Sequence, residues 1–226
     1  MIIVHHLNNS RSQRVLWLLE ELGQPYDIVR YQRDPATLLA PPGLAKVHPL
    51  GKSPVVTDGE LTLAETGAIV EYLVDAYGAG LDLRPERGTA AGYRYTYWLH
   101  FAEGSAMPPL LLKLVLDTMA NAPMPFFARP IARRLTQRVL DVFVRPTLVR
   151  QLAWMESELQ ARGPWFAGPH FSAADVQMSF PLEAARQRAG LDAATTPGLA
   201  AWLDRIHARP AYRRALERGG AYDFAS

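Results

Sequence analysis

The period of the apolar positions changes along the chain. Ile2-Ile3-Val4 is a short β-branched run, followed by a polar break from His6 to Ser10. Val15, Leu16, Leu18, Leu19 and Leu22 then recur at helical spacing, with Gly23 placed to end the helix. After a Gln24-Pro25 turn, Tyr26 to Tyr31 alternates and is rich in strand formers. A loop with Pro35, Pro41, Pro42 and Gly43 follows. Pro54 to Thr57 and Leu61 to Leu63 read as a β-hairpin closed by a tight Asp58-Gly59 turn. Ala64-Glu65-Thr66 opens a second helix with Ala68, Ile69, Tyr72 and Leu73 on its apolar face, and Gly78 stops it. The order β-α-β then β-β-α predicts a four-stranded mixed sheet. A parallel pair comes from the first unit, and helices cover the faces.

From Ala79 to Gly88, Gly80, Gly88 and Pro85 read as a linker. Strand patterning almost vanishes after it. Helical windows run from Thr89 to Leu116, Ile131 to Arg162, Ala173 to Ala189, Leu199 to Ala208 and Ala211 to Arg218. Pro108-Pro109 and Pro146 are expected to kink or break the first two. Asn121 to Pro130, with three prolines, reads as an irregular connection. The expectation is α/β plus all-α: an α/β domain over residues 1–80 and an all-helical domain over 89–226.

Composition narrows the function classes. The 226 residues are 49% hydrophobic and 20% charged, which suits a globular chain and not a disordered one. No apolar run approaches the ~20 residues of a membrane helix. Met1 to His6 lack the basic start and apolar stretch of a signal peptide. There are no cysteines, so disulfides, thiolate metal ligands and a cysteine nucleophile are excluded, and cytoplasmic residence is the expectation. Net charge is +2, with Arg concentrated between Arg129 and Arg150 and between Arg205 and Arg218. Neither cluster carries a nucleic-acid reader motif, so both read as solvated helix faces and no nucleic acid is expected. His5 and His6, adjacent on a strand, point to opposite faces and make a poor chelate, and no cluster has metal-site spacing.

Four segments carry candidate chemistry. His6-Leu7-Asn8-Asn9-Ser10-Arg11 joins a strand to a helix. It can simply cap that helix, or offer hydroxyl, amide and guanidinium donors to an anion. Ser53-Pro54 stands at a strand entry, where proline removes a ladder donor and the bond can be cis or trans. Ser53 main-chain groups left out of the sheet can pair with a peptide-like ligand. Glu65-Thr66 begins a helix, either compensating its dipole or holding an α-amino-acid head. Ser172-x-x-Asp175 fits a capping box with Asp in place of Glu.

Together, in this order and spacing, these segments closely resemble the glutathione transferase superfamily over essentially the whole chain. The matching motifs are Pro54, Glu65-Thr66, and Ser172 with Asp175. The stretch Leu7 to Leu22, with its Asn-Asn-Ser-Arg turn, resembles a bacterial and fungal branch using neither tyrosine nor cysteine there. The resemblance implies a thioredoxin-like N-terminal domain with cis-Pro54, an all-helical C-terminal domain and a homodimer. It implies glutathione as co-substrate, its γ-glutamyl group on Glu65 and Thr66. Its cysteinyl backbone would lie on Ser53 and its glycine end near Lys52. His48 and Ser53 depart from the family, which often has Asn and an apolar residue at these positions.

The thiol would lie by Asn8 to Arg11. Its thiolate is the nucleophile and needs a donor. Ser10 offers a hydroxyl and is the first choice of donor; Asn9 follows with an amide, where some relatives have their serine, and Arg11 adds charge. Tyr93, Tyr97, His100, Phe101 and Glu103 share helical spacing, read either as core or as an acceptor-substrate pocket between the domains. The leading function is transfer of glutathione to small apolar electrophiles. Glutathione-dependent peroxide or disulfide reduction, or non-catalytic binding, are the alternatives. The lack of cysteine argues against a protein–glutathione mixed disulfide.

Overall fold

The computed structural model describes residues 1–225. Strands β1 (Ile2–Leu7), β2 (Tyr26–Tyr31), β3 (Val55–Asp58) and β4 (Leu61–Ala64) form one sheet in the order β2-β1-β3-β4. As expected, β1 and β2 are parallel, with Ile2 opposite Tyr26, and the other pairs are antiparallel. β1 runs through the predicted polar break as far as Leu7, because His6 and Leu7 still pair with Arg30 and Tyr31. Both histidines are buried there: His5 Nδ1 lies 3.0 Å from the Tyr31 hydroxyl, and His6 Nδ1 lies 2.8 Å from Ser12 Oγ. The hairpin turn is Gly59-Glu60, since Asp58 stays in the strand opposite Leu61. The long loop contains a short 3₁₀ turn at Pro42–Lys46 that periodicity did not indicate.

Helix α1 (Ser12–Leu22) ends at Gly23, whose φ of 64° lets its N–H turn back onto the Glu20 carbonyl. α2 (Thr66–Tyr77) ends at Gly78 as expected. Residues 78–89 hold no helix or strand. The rest is helical: α3 (Ala90–Phe101), α4 (Met107–Asn121), α5 (Arg129–Val139), α6 (Arg145–Arg162), α7 (Ala173–Arg188), α8 (Pro197–His207) and α9 (Pro210–Gly219). Pro108-Pro109 and Pro146 do not break their helices. Five π-helical residues precede each, Ala102–Ala106 and Leu140–Val144, and the wider turns accommodate the proline rings and missing donors. α5 begins two residues earlier than its apolar pattern, because Pro130 suits a first helical turn.

α7 is the axis of the helical lobe, buried from Ala173 to Ala185. The capping box forms: Ser172 N–H donates to Asp175 Oδ2 at 3.0 Å, and the Ser172 hydroxyl donates to the same oxygen at 3.1 Å. Asp175 Oδ1 also accepts from the Phe166 N–H and the Trp202 indole, both at 3.0 Å. Burial pushes the Asp175 carboxyl up to about 6 despite those donors.

α1 is buried on nearly every side, packed against α2, α7 and α9. Trp17 meets Tyr212 edge-on at 5.2 Å. The Arg205–Arg218 cluster is more than a solvated face. Arg209 pairs with Glu21, and Arg214 and Arg218 with Glu20, tying α9 to α1.

Candidate functional site

Sheet register brings three loops to one end of the molecule. β3 runs antiparallel to β1, with His5 opposite Val55, and Val55 lies opposite Ala64. The turn after β1, the Ser53-Pro54 entry to β3 and the Glu65-Thr66 start of α2 are therefore neighbours. Leu7 N–H donates to Ser53 Oγ at 3.3 Å, and the Ser53 hydroxyl donates to the His5 carbonyl at 2.9 Å. The Ser53–Pro54 peptide is cis. No main-chain hydrogen bond from Ser53 reaches another described residue, so its N–H and C=O are unpaired there. Lys52 is exposed beside it.

Glu65 is exposed and held at φ 66°, a left-handed value costing a non-glycine residue about 1–3 kcal/mol. Thr66 next to it is buried. Its hydroxyl oxygen accepts from Arg14 Nη2 at 2.7 Å and Gln177 Nε2 at 3.3 Å, leaving its own O–H to donate. The N-terminal N–H groups of α2 are uncapped by any side chain.

The turn after β1 is braced from three directions. Asn8 Oδ1 accepts from Arg33 N–H at 2.8 Å, while the Arg33 guanidinium donates to the Asn8 and Leu38 carbonyls at 3.3 and 2.9 Å. Asn9, at φ 49°, pairs its carboxamide with Asp223 near the other end of the chain. Ser10 is turned inward and is 2% exposed. Its Oγ lies 2.8 Å from Ser12 Oγ and accepts the Ser12 N–H at 3.2 Å. Ser12 in turn contacts His6, whose pKa burial lowers to about 4, with Arg30 adding to the shift, so the imidazole is neutral at physiological pH.

Arg11 points across to the helical lobe. Its Nε donates to both Glu103 oxygens at 2.9 Å, and its guanidinium lies 5.2 Å from the Phe180 ring centroid. Arg14, with no exposed side-chain surface, donates to the same carboxylate and to the Gln177 carbonyl. Burial alone would raise the Glu103 pKa, but the Arg14 and Arg11 charges and hydrogen bonds outweigh it and hold the carboxyl below its usual range. Burial, and then Arg11, lower Arg33.

The five residues read as core or acceptor pocket do not stay together. Glu103 reaches the turn. Tyr93 and Tyr97 are instead exposed in a groove of about 410 Å³ between α3 and α6, where Trp154 Nε1 donates to the Tyr97 hydroxyl at 3.2 Å. His100 is exposed one turn before Glu103, and Phe101 is buried. Arg14, Arg33, Gln177 and Asp223 were missed. Only Arg14 stood near a pattern, directly before the apolar run from Val15 to Leu19. Among the described residues no three His, Cys, Asp or Glu side chains gather as a metal-binding group, and no helix is long and apolar enough to cross a membrane.

Comparison with known proteins agrees with this geometry. The glutathione S-transferase N-terminal domain family matches residues 1–75, and a glutathione S-transferase C-terminal domain family matches residues 127–205. Glutathione S-transferase 3 of Schizosaccharomyces pombe is 40% identical over 219 residues, 96% of this chain and 88% of the relative. A crystal structure of a glutathione S-transferase from Actinobacillus pleuropneumoniae superposes with a TM-score of 0.76 at 30% identity, covering 100% of this chain and 96% of that one. A sphingomonad glutathione S-transferase complexed with glutathione gives 0.70 at 25% identity, covering 96% and 98%. With its mixed sheet, cis-proline and helical second lobe, the chain belongs to the glutathione S-transferase family of enzymes.

Proposed function

We propose that the three converging loops bind reduced glutathione as its thiolate, and that the enzyme transfers it to small apolar electrophiles. The observation that carries this is the placement of unpaired Ser53 main-chain groups beside both the α2 start and the β1–α1 turn. Ser53 N–H and C=O pair with the cysteinyl residue like an added strand. Glu65 takes the γ-glutamyl ammonium, and Thr66 with the α2 N-terminal N–H groups takes its carboxylate. Lys52 meets the glycine carboxylate, and Pro54 sets the turn that exposes Ser53.

The sulfur then lies against Asn9 and Arg11. Because the Ser10 hydroxyl is buried on Ser12, the donor role passes to the Asn9 amide, with Arg11 and Arg33 supplying positive potential. Ser10 shapes the turn from behind. The thiolate sulfur forms a C–S bond to the electrophilic carbon, and the leaving group departs with the bonding pair. The acceptor approaches beside His100 and Glu103; Tyr93 and Tyr97 line a separate groove. The enzyme draws on cytoplasmic glutathione and acts as a homodimer, for which the exposed Leu111, Val115, Ile131 and Leu135 offer an apolar face.

Calorimetric titration with reduced glutathione tests the site. Wild-type binding that Glu65→Ala abolishes, with turnover of chlorodinitrobenzene by the wild type, is the expected result. A wild-type chain that binds no glutathione would overturn the proposal.

A further inference from the structure

Asp223 reaches back across almost the whole sequence to the turn that faces the thiol. Asn9 Nδ2 donates to Asp223 Oδ2 at 2.7 Å, and Asp223 N–H donates to Asn9 Oδ1 at 2.9 Å. Two bonds to one partner fix both the rotation and the flip of a carboxamide that would otherwise turn freely at the surface. They consume the amide oxygen and one N–H. The second N–H of the amide is left to donate elsewhere.

The segment that supplies Asp223 is itself anchored. Phe224 is buried against Phe180, ring centroids 5.3 Å apart, with Arg188 5.0 Å from its centroid. The Tyr222 hydroxyl donates to Glu183 Oε2 at 2.5 Å, and Gln187 Nε2 donates to the Asp223 carbonyl. Phe180 also carries Arg11 on its ring, so one α7 side chain supports both the turn and the strap that braces it.

We propose that Asp223 is a positioning residue that holds the Asn9 carboxamide with its oxygen turned away from, and its free N–H toward, the sulfur of bound glutathione. The inference rests on the reading of Asn9 as the thiolate donor. A carboxylate near a thiolate repels it, so charge alone gives no reason for an acid here. The charges around the turn include Arg11, Arg33, Glu103 and Asp223, with the buried Arg14 on Glu103 as well, so the arginines offset the acids. What Asp223 supplies is an acceptor on a fixed backbone. Charge and acceptor therefore make opposite predictions, and can be separated.

The experiment is an ultraviolet titration of the thiolate of bound glutathione in the full chain, with calorimetric affinity measured alongside. Asp223→Ala removes the acceptor. It is expected to raise the bound thiol pKa by about one unit, a roughly tenfold loss of thiolate-to-thiol ratio, with affinity changed less than about twofold. Asp223→Asn keeps an acceptor without charge, and is expected to retain the wild-type titration or shift it slightly down. Asn9→Ala is expected to match Asp223→Ala, and the double variant to add nothing. A thiol pKa in Asp223→Ala that is unchanged or lower, while Asn9→Ala raises it, overturns the positioning role. An unchanged pKa in Asn9→Ala with glutathione still bound removes Asn9 as donor, and the proposal with it. Failure of the wild type to bind glutathione is a different result, and strikes the function.

Discussion

Glu103→Gln removes one charge from the joint between the lobes and leaves its shape almost unchanged. The carboxylate receives Arg11 on both oxygens at 2.9 Å and is also bound by Arg14. In the variant the Arg14 cation stays buried with only neutral acceptors, Thr66 Oγ1 and the Gln177 carbonyl. Stripping one partner from a fully buried pair costs about 3–5 kcal/mol. The Glu103 side chain is 30% exposed, so water screens part of that loss and about 2 kcal/mol is expected. At this chain length that lowers Tm by about 4–8 °C. The pH dependence has a definite sign. Glu103 is held below its ordinary 4.5, so its contribution is complete above that value and is lost as pH falls through the folded pKa. Melting curves of both proteins should be well separated near neutral pH and converge in acid. Equal melting near neutrality, or a gap that persists in acid, would refute the ionic account of this joint.

Two further substitutions test the packing that supports the site. A Cβ at Gly92 would sit 2.3 Å from the Glu86 carbonyl oxygen, which is backbone and cannot rotate aside. Gly92→Ala should therefore displace the start of α3 and cost about 1–3 kcal/mol, read as a lower melting temperature. Glu156 on α6 accepts the Gly198 and Leu199 N–H groups of α8, both at 2.8 Å, doing the work of an N-cap from a distance. Glu156→Ala should cost about 1–2 kcal/mol and speed hydrogen exchange at those two amides selectively.

Elements were legible where local chemistry decides them. The Val15-to-Leu22 periodicity with Gly23, the hairpin from Val55 to Leu63, and Ser172 with Asp175 all read directly from the sequence. Two kinds of information were not local. Helical spacing says which residues share a face but not what that face meets, so Tyr93 and Tyr97 could not be separated from Glu103. A strand-to-helix turn names its donors but not their rotation, so Ser10 gave no sign that its hydroxyl is buried on Ser12. Arg33 and Asp223 act on Asn8 and Asn9 through contacts 25 and 214 residues apart in sequence. Neither separation leaves a pattern that a short window can detect. The π-helical segments were hidden for a different reason, since prolines announce a disturbance without stating its form.

The seating of α1 also sets a timetable for synthesis. This helix belongs to the first lobe, yet Trp17 and Glu20 find partners on α9, and Glu21 on Arg209 just before it. Nearly the whole chain is translated between them, which at about 5–20 residues per second takes roughly ten to forty seconds. During that interval the nascent α1 offers Leu16 and Trp17 to whatever is nearby. Slowing translation ahead of Pro210 would lengthen the exposure, and chaperone occupancy of ribosome-bound chains should rise with it.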